Sequence, residues 1–176
     1  LTENLKADKE RSLEENFSIT LKYFNKRWKK ELEEKGRNID EAFKMITSKL
    51  IFPYRYIDSF EKFEETEIPS QEKFFNDLSE ESVSDELYAN FKRLWFLFDL
   101  KYIGELSDLY VAVDTALLAD IFENLRRVSF STIGLDPAHS FTAAGLSWSG
   151  ALKVGKLKIE IPQSKEIHDF IDNNLR

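Results

Sequence analysis

Tyr110 and Asp114 stand four residues apart, a separation that on a helix sets one side chain a single turn above the other, so a phenol and a carboxylate can address one ligand. A carboxylate suits hard divalent cations such as magnesium or manganese. Thiolate and imidazole frameworks do not compete with it: the chain has no cysteine and only two histidines, His139 and His168, which share no ligand spacing. A second group that could do chemistry is the basic run Lys22, Lys26, Arg27, Lys29 and Lys30, interleaved with Tyr23, Phe24 and Trp28. Single-stranded nucleic-acid sites use this composition, pairing cations with phosphates and stacking bases on rings. Glu31, Glu33 and Glu34 follow at once and can pair with those lysines, which gives the alternative reading of a solvated helix face.

The elements that must carry these residues are legible as apolar periodicity. Leu106, Leu109, Val113, Leu117, Ile121 and Leu125 recur at three- and four-residue steps, so a helix runs through Tyr110–Arg126 with Tyr110 and Asp114 beside its apolar stripe. Phe17, Leu21, Phe24, Trp28 and Leu32 predict an amphipathic helix in residues 1–35, ended by Gly36. Asn38 with Glu41 three residues later resembles a capping box, opening a helix that buries Ala42, Phe43, Ile46 and Leu50 and stops before Pro53. An extended aromatic segment, Phe52 to Asp58, follows. Ser70 can cap a short helix bearing Phe74, Phe75 and Leu78, and Ser84 a longer one whose aromatics, from Tyr88 to Phe98, read as core. Gly104 is the expected pivot into the central helix.

After Arg127 the character changes. Gly134, Pro137, Gly145, Gly150 and Gly155 crowd together, so no helix of any length is expected there until the end. Lys156 to Ile161 alternates as a short strand, and Ser164 can cap a closing helix that buries Ile167, Phe170, Ile171 and Leu175. The chain therefore divides into a helical part over 1–127 and a connecting part over 128–176. The expected fold is mainly α with a minor β element.

The bulk figures bound function as well. The 176 residues, 42% hydrophobic with 15 Phe and 3 Trp, suffice for one core. No apolar run approaches the roughly 20 residues that cross a bilayer, so no membrane partner is expected, and the absence of a signal-peptide pattern points to an intracellular protein. A formal charge of −7 argues against a surface that tracks phosphate backbone everywhere, though not against a local patch. Opening on Leu1 without an initiating Met, the sequence reads as a piece of something longer.

Five segments resemble, in order, the protein-primed family-B DNA polymerases of polintons and linear plasmids. They are Pro53-Tyr-Arg-Tyr-Ile-Asp-Ser59, the stretch from Ser84 to Trp95, Tyr102-Ile-Gly-Glu-Leu-Ser-Asp-Leu-Tyr110, Val113-Asp-Thr-Ala-Leu-Leu-Ala-Asp-Ile-Phe-Glu-Asn-Leu-Arg126, and Gly134 through Trp148. Tyr-x-x-x-Asp, as in Tyr110 and Asp114, is the spacing of that family's third exonuclease motif. The resemblance implies a 3′–5′ exonuclease domain of ribonuclease-H-like fold, here lacking most of its sheet, leading toward a polymerase palm. It implies that Asp114 ligates one of two Mg2+ or Mn2+ ions, that Tyr110 orients the attacking water, and that Lys49, in Lys49-Leu-Ile-Phe52, faces the scissile phosphate.

The family's other catalytic carboxylates correspond to positions before Leu1 and beyond Arg176. One carboxylate cannot assemble a two-metal site, so the isolated chain is expected to bind no metal and to show no nuclease or polymerase activity. Two readings follow. The chain is a portion of a DNA-replicating polymerase, with DNA and the rest of the polymerase as partners. Alternatively it is a transposon-derived, non-catalytic module that binds a protein or a nucleic acid through its helical surface. The expected location is intracellular, nuclear rather than mitochondrial.

Overall fold

In the computed structural model, residues 5–6, 11–75, 81–156, 159 and 163–174 are described. They are mainly helical with almost no strand. The expected strand from Lys156 to Ile161 falls almost wholly outside the described residues. The chain forms two units, Leu1–Asn124 and Leu125–Arg176.

The first unit begins with a helical run broken into pieces: α1 (Leu13–Asn16), α2 (Ser18–Phe24), a π-helical turn (Asn25–Lys29) and α3 (Lys30–Glu34). The π turn has a cause in the spacing. Phe24, Trp28 and Leu32 follow one another by two steps of four, and in a helix of 3.6 residues per turn each such step drifts about 40°. One wider turn absorbs the extra residue, leaving Phe24 and Leu32 buried and the Trp28 ring edge-on to Phe98 at 5.8 Å. Gly36, at φ +64°, ends the run as expected, with Arg37 N–H donating to the Leu32 carbonyl at 2.8 Å.

Helix α4 (Ile39–Ile46) opens on the Asn38 side chain, which accepts from Glu41 N–H at 3.1 Å. The reciprocal half of the box is replaced: the Glu41 carboxylate pairs with Arg93. The helix stops at Ile46, well before Pro53, and Leu50 is only half-buried. Residues 47–75 then cross the surface with two 3-10 turns, Phe60–Glu64 and Gln71–Phe74. Ser70 precedes the second without a side-chain cap, and Leu78 lies outside the described residues.

Helix α5 (Asp85–Leu97) is capped by Ser84, whose hydroxyl accepts from Leu87 N–H at 3.3 Å. Most of its aromatics are core as expected: Phe91 and Trp95 are buried, as is Phe98 just after it, Tyr88 is half-buried, and Phe91 meets Phe74 at 4.7 Å, while Phe96 stands 63% exposed. The pivot after α5 is Asp99, not Gly104. Asp99 takes φ 55°, the left-handed position that closes a helix, with Leu100 N–H on the Trp95 carbonyl at 3.0 Å. Lys35 at 3.0 Å and Lys101 at 2.6 Å hold its carboxylate, and those hydrogen bonds, that of Lys101 foremost, lower its pKa to about 2. Gly104 serves close approach instead, since a Cβ there would sit 3.3 Å from the Phe63 carbonyl oxygen.

The central helix α6 spans Ile103–Ile133. Leu106, Leu109, Val113 and Leu117 bury its apolar stripe in the first unit's core. At 46% exposure Leu125 leaves that stripe. Across the core, Asp120 is 3% exposed and accepts three hydrogen bonds from the start of α2: Ile19 N–H at 2.8 Å, Thr20 N–H at 2.9 Å and the Thr20 hydroxyl at 2.6 Å. The residue at the N-cap of α2 is Phe17, which has no side-chain oxygen to offer. A carboxylate a hundred positions away supplies the cap.

The second unit corrects two expectations. A helix of 13 residues, α7 (Ala143–Gly155), lies where none was expected. Thr142 caps it through Gly145 N–H at 3.0 Å, and Gly150 is retained for closeness, with Ile133 Cδ1 only 3.2 Å from where its Cβ would be. The closing helix α8 (Lys165–Asn174) starts at Ser164 as expected. It does not bury its apolar side, however: Ile167 is 49% and Phe170 66% exposed, with Ile171 half-buried and Leu175 outside the described residues. Periodicity shows which side of a helix is apolar, not that a neighbour covers it. Asp136 fixes the turn after α6, accepting from Ala138 N–H at 3.0 Å while Arg126 grips it through Nε at 3.0 Å and Nη2 at 2.6 Å.

Candidate functional site around Tyr110

Tyr110 lies on α6 one turn before Asp114, with its side chain half-buried against the segment that follows α4. Its ring meets Phe52 at 4.9 Å and Tyr54 edge-on at 6.0 Å. The two phenols share a hydrogen bond, Tyr54 hydroxyl donating to Tyr110 oxygen at 2.9 Å. Burial, then the hydrogen bond with Tyr54, then the charge of Asp114 raise the Tyr110 pKa well above that of an ordinary phenol. At neutral pH it is therefore a fixed neutral hydroxyl, suited to orienting a polar group rather than to taking a proton.

Lys49 and Tyr110, far apart in sequence, line the same small cleft together with Met45, Leu87 and Leu106. Its free volume is about 20 Å³, enough for roughly one water. Lys49 is exposed at the rim. Asp114 is exposed one turn further along α6. Tyr54, 68% exposed, stands beside them with its ring in edge contact with those of Phe52 and Tyr110. The fold thus gathers a lysine, a fixed phenol, an exposed ring and a carboxylate. Sequence reading missed the role of Phe52 and Tyr54 here. The signal available was their place in an aromatic run flanking a proline, which marks a segment held against the core by rings.

The basic run is elsewhere. Lys22, Lys26, Arg27 and Lys30 are exposed and Lys29 and Trp28 half-buried. Lys29 pairs with Glu33 at 4.0 Å and Lys30 with Glu34 at 3.8 Å, while Glu31 turns to Lys35 at 2.8 Å. Arg27 and Trp28 instead line a broader concavity with Tyr23, Val111 and the acidic Glu105 and Asp108 of α6. Among the described residues no three His, Cys, Asp or Glu side chains gather as a metal cluster, and none of the helices is long and apolar enough to cross a membrane. His139 and His168 are both exposed.

Comparison with protein-family models, curated proteins and solved structures found no match.

Proposed function

We propose that this chain is part of, or descends from, a protein-primed family-B DNA polymerase, and that the surface around Tyr110 is the portion that contacts the end of a single DNA strand. The observation that supports this reading is the shared cleft of Lys49 and Tyr110, two residues which the sequence resemblance assigns to one phosphodiester and which lie on separate elements. Tyr54 adds a ring on which a terminal base can stack, and Lys49 a point charge for its phosphate. The described residues alone do not fit a two-metal centre, so the activity proposed for this chain is strand binding. In a longer polypeptide Asp114 would add one carboxylate to a site for Mg2+ or Mn2+, which would supply activation of water.

The test is anisotropy of a fluorescein-labelled twelve-residue oligothymidylate at low salt. Binding should weaken roughly tenfold in Tyr54→Ala, the loss of one stacked base at about 1.4 kcal/mol, and several-fold in Lys49→Ala. No binding by the wild-type chain, or binding indifferent to both substitutions, overturns the reading. A second reading, a non-catalytic module for a protein partner, draws on the second unit, where Phe141 and Trp148 stand fully or largely exposed. It gains ground if the oligonucleotide fails to bind.

A further inference from the structure

The concavity where Arg27 and Trp28 meet the start of α6 has a free volume of about 560 Å³, a size that holds small organic molecules. Rings form part of its wall. Trp28 stands edge-on to Phe98 at 5.8 Å and makes a T-shaped pair with Tyr23 at 5.4 Å, and Val111, 59% exposed, adds apolar surface from α6. The π turn serves this wall too. Tyr23, Arg27, Glu31 and Lys35 follow one another by steps of four, each of which drifts about 40° on an α-helix. One wider turn keeps all four on the concavity.

Four carboxylates and three cations line it, and most of them satisfy one another. Lys35 reaches Glu31 at 2.8 Å and Asp99 at 3.0 Å, Lys101 reaches Asp99 at 2.6 Å, and Glu105 accepts from Lys101 N–H at 2.6 Å. Two opposite charges on separate elements are left over. Neither Arg27 nor Asp108 has a hydrogen bond or ion pair among the described residues, and their charged groups are more than 4.0 Å apart. The indole N–H of half-buried Trp28 also has no acceptor among the described residues.

We propose that this concavity binds a small zwitterion, a carboxylate and an ammonium on an apolar body, with Arg27 as the partner of the carboxylate and Asp108 of the ammonium. A guanidinium presents paired N–H groups that match a carboxylate, and Asp108 accepts from an ammonium. Arg27 and Asp108 do not reach each other, whereas a ligand bearing both charges meets both at once. Such a ligand brings no net charge, so the excess of one carboxylate in the lining does not oppose it. Its apolar body rests against Tyr23, Trp28 and Val111. A free amino acid and a dipeptide share this chemistry and differ in the span between their charges.

The experiment is an NMR titration of the whole chain, following the Trp28 indole N–H, the Tyr23 ring and the Val111 methyl groups. L-Leucine is added in one arm and L-leucyl-L-leucine in the other. The references are N-acetyl-L-leucine, which keeps only the carboxylate, and L-leucine amide, which keeps only the ammonium. Saturable shifts are expected with at least one zwitterion, at an affinity about tenfold or more above that of either reference, as the loss of a charge-assisted hydrogen bond implies. Arg27→Gln and Asp108→Asn should each weaken binding about tenfold, and Lys30→Gln should leave it unchanged. All three side chains are exposed, so the circular dichroism of each variant should match wild type. Saturation by leucine assigns the free amino acid as the source, and saturation by the dipeptide alone assigns the wider span. Leucine amide binding as tightly as the zwitterions would make this a site for cations and overturn the proposal. N-acetyl-leucine binding as tightly, no saturable shift with either zwitterion, or binding indifferent to both substitutions would overturn it as well. None of these outcomes bears on strand binding around Tyr54, which uses other residues.

Discussion

At the scale of single residues the clearest dependence is on Asp120, whose carboxylate closes the open end of a helix far away in sequence. Asp120→Ala leaves two backbone N–H groups and a hydroxyl facing a void in the core. Each unmet donor costs about 1–3 kcal/mol, less what relaxation recovers, so a loss of about 3 kcal/mol is expected in urea denaturation. Asp120→Asn keeps one acceptor oxygen and should lose about 1 kcal/mol. A double-mutant cycle with Thr20→Val should give a coupling of at least about 0.5 kcal/mol; strict additivity would mean that the hydroxyl contact carries nothing. Tyr110 offers a spectroscopic counterpart. Its phenol ionises above the ordinary range because the fold favours the neutral form, so above the unfolded value of about 10 the unfolded chain binds fewer protons and stability falls as pH rises. Tyr110→Phe should remove the most alkaline part of the phenolate absorbance titration near 295 nm and flatten the alkaline limb of stability. An unchanged titration would mean that Tyr110 is not held as described.

At the scale of elements, what sequence revealed and what it withheld separate along a physical line. Caps are local, so Ser84, Thr142 and Ser164 mark real helix starts, although Thr142 was passed over because the glycines after it argued for loop. Gly145 and Gly150 are spent on close approach to other groups, and a helix tolerates them at about 1 kcal/mol each. Long-range devices leave no local trace: the Asp120 cap on α2, the Arg126 grip on Asp136 and the Tyr54–Tyr110 hydrogen bond join positions that no periodicity connects. The candidate site was therefore half legible, with Tyr110, Asp114 and Lys49 in view and Tyr54 hidden. The π turn was written in the sequence but needed arithmetic, two consecutive steps of four. That arithmetic makes a prediction. Deleting Lys26 turns the spacing from Phe24 onward into steps of three and four, which an ordinary α-helix satisfies. The shortened chain should fold with unchanged or slightly greater stability, while inserting an Ala at the same point should cost at least 2 kcal/mol by pushing the Trp28 and Leu32 side chains off the core. Thermal melts of both variants decide it. In the second unit Asp136 is held to a pKa of about 2, chiefly by Arg126. The stabilisation this represents is complete above the unfolded carboxyl value near 3.9 and disappears as pH falls through about 2. Asp136→Asn should remove that part of the acid dependence, read from helical signal at 222 nm.

At the scale of the whole molecule the two units differ in what they do with apolar surface. The first buries Phe17, Phe24, Phe91 and Trp95 in one contiguous core. The second displays Phe130 at 67%, Trp148 at 61%, Val154 at 63% and Phe170 at 66% exposure, an unusual outlay of large apolar side chains for water to solvate. The three tryptophans report on this difference without any label, because Trp95 is 4% exposed, Trp28 is half-buried against Phe98, and Trp148 stands open. In dilute solution the red-shifted, acrylamide-quenchable part of the emission should belong to Trp148 and vanish in Trp148→Phe, leaving a blue-shifted spectrum from the first unit. The same residue then discriminates a free surface from a covered one. If copies of the chain associate through the surface that bears Trp148, its emission should move to the blue and lose its quenching as concentration rises. If emission is independent of concentration, that surface is solvated in the isolated chain, and its apolar area of about 100 Å² or more per ring is left for a different partner. Emission that is blue-shifted and protected at every concentration would contradict the exposure of Trp148 itself, and with it the description of α7.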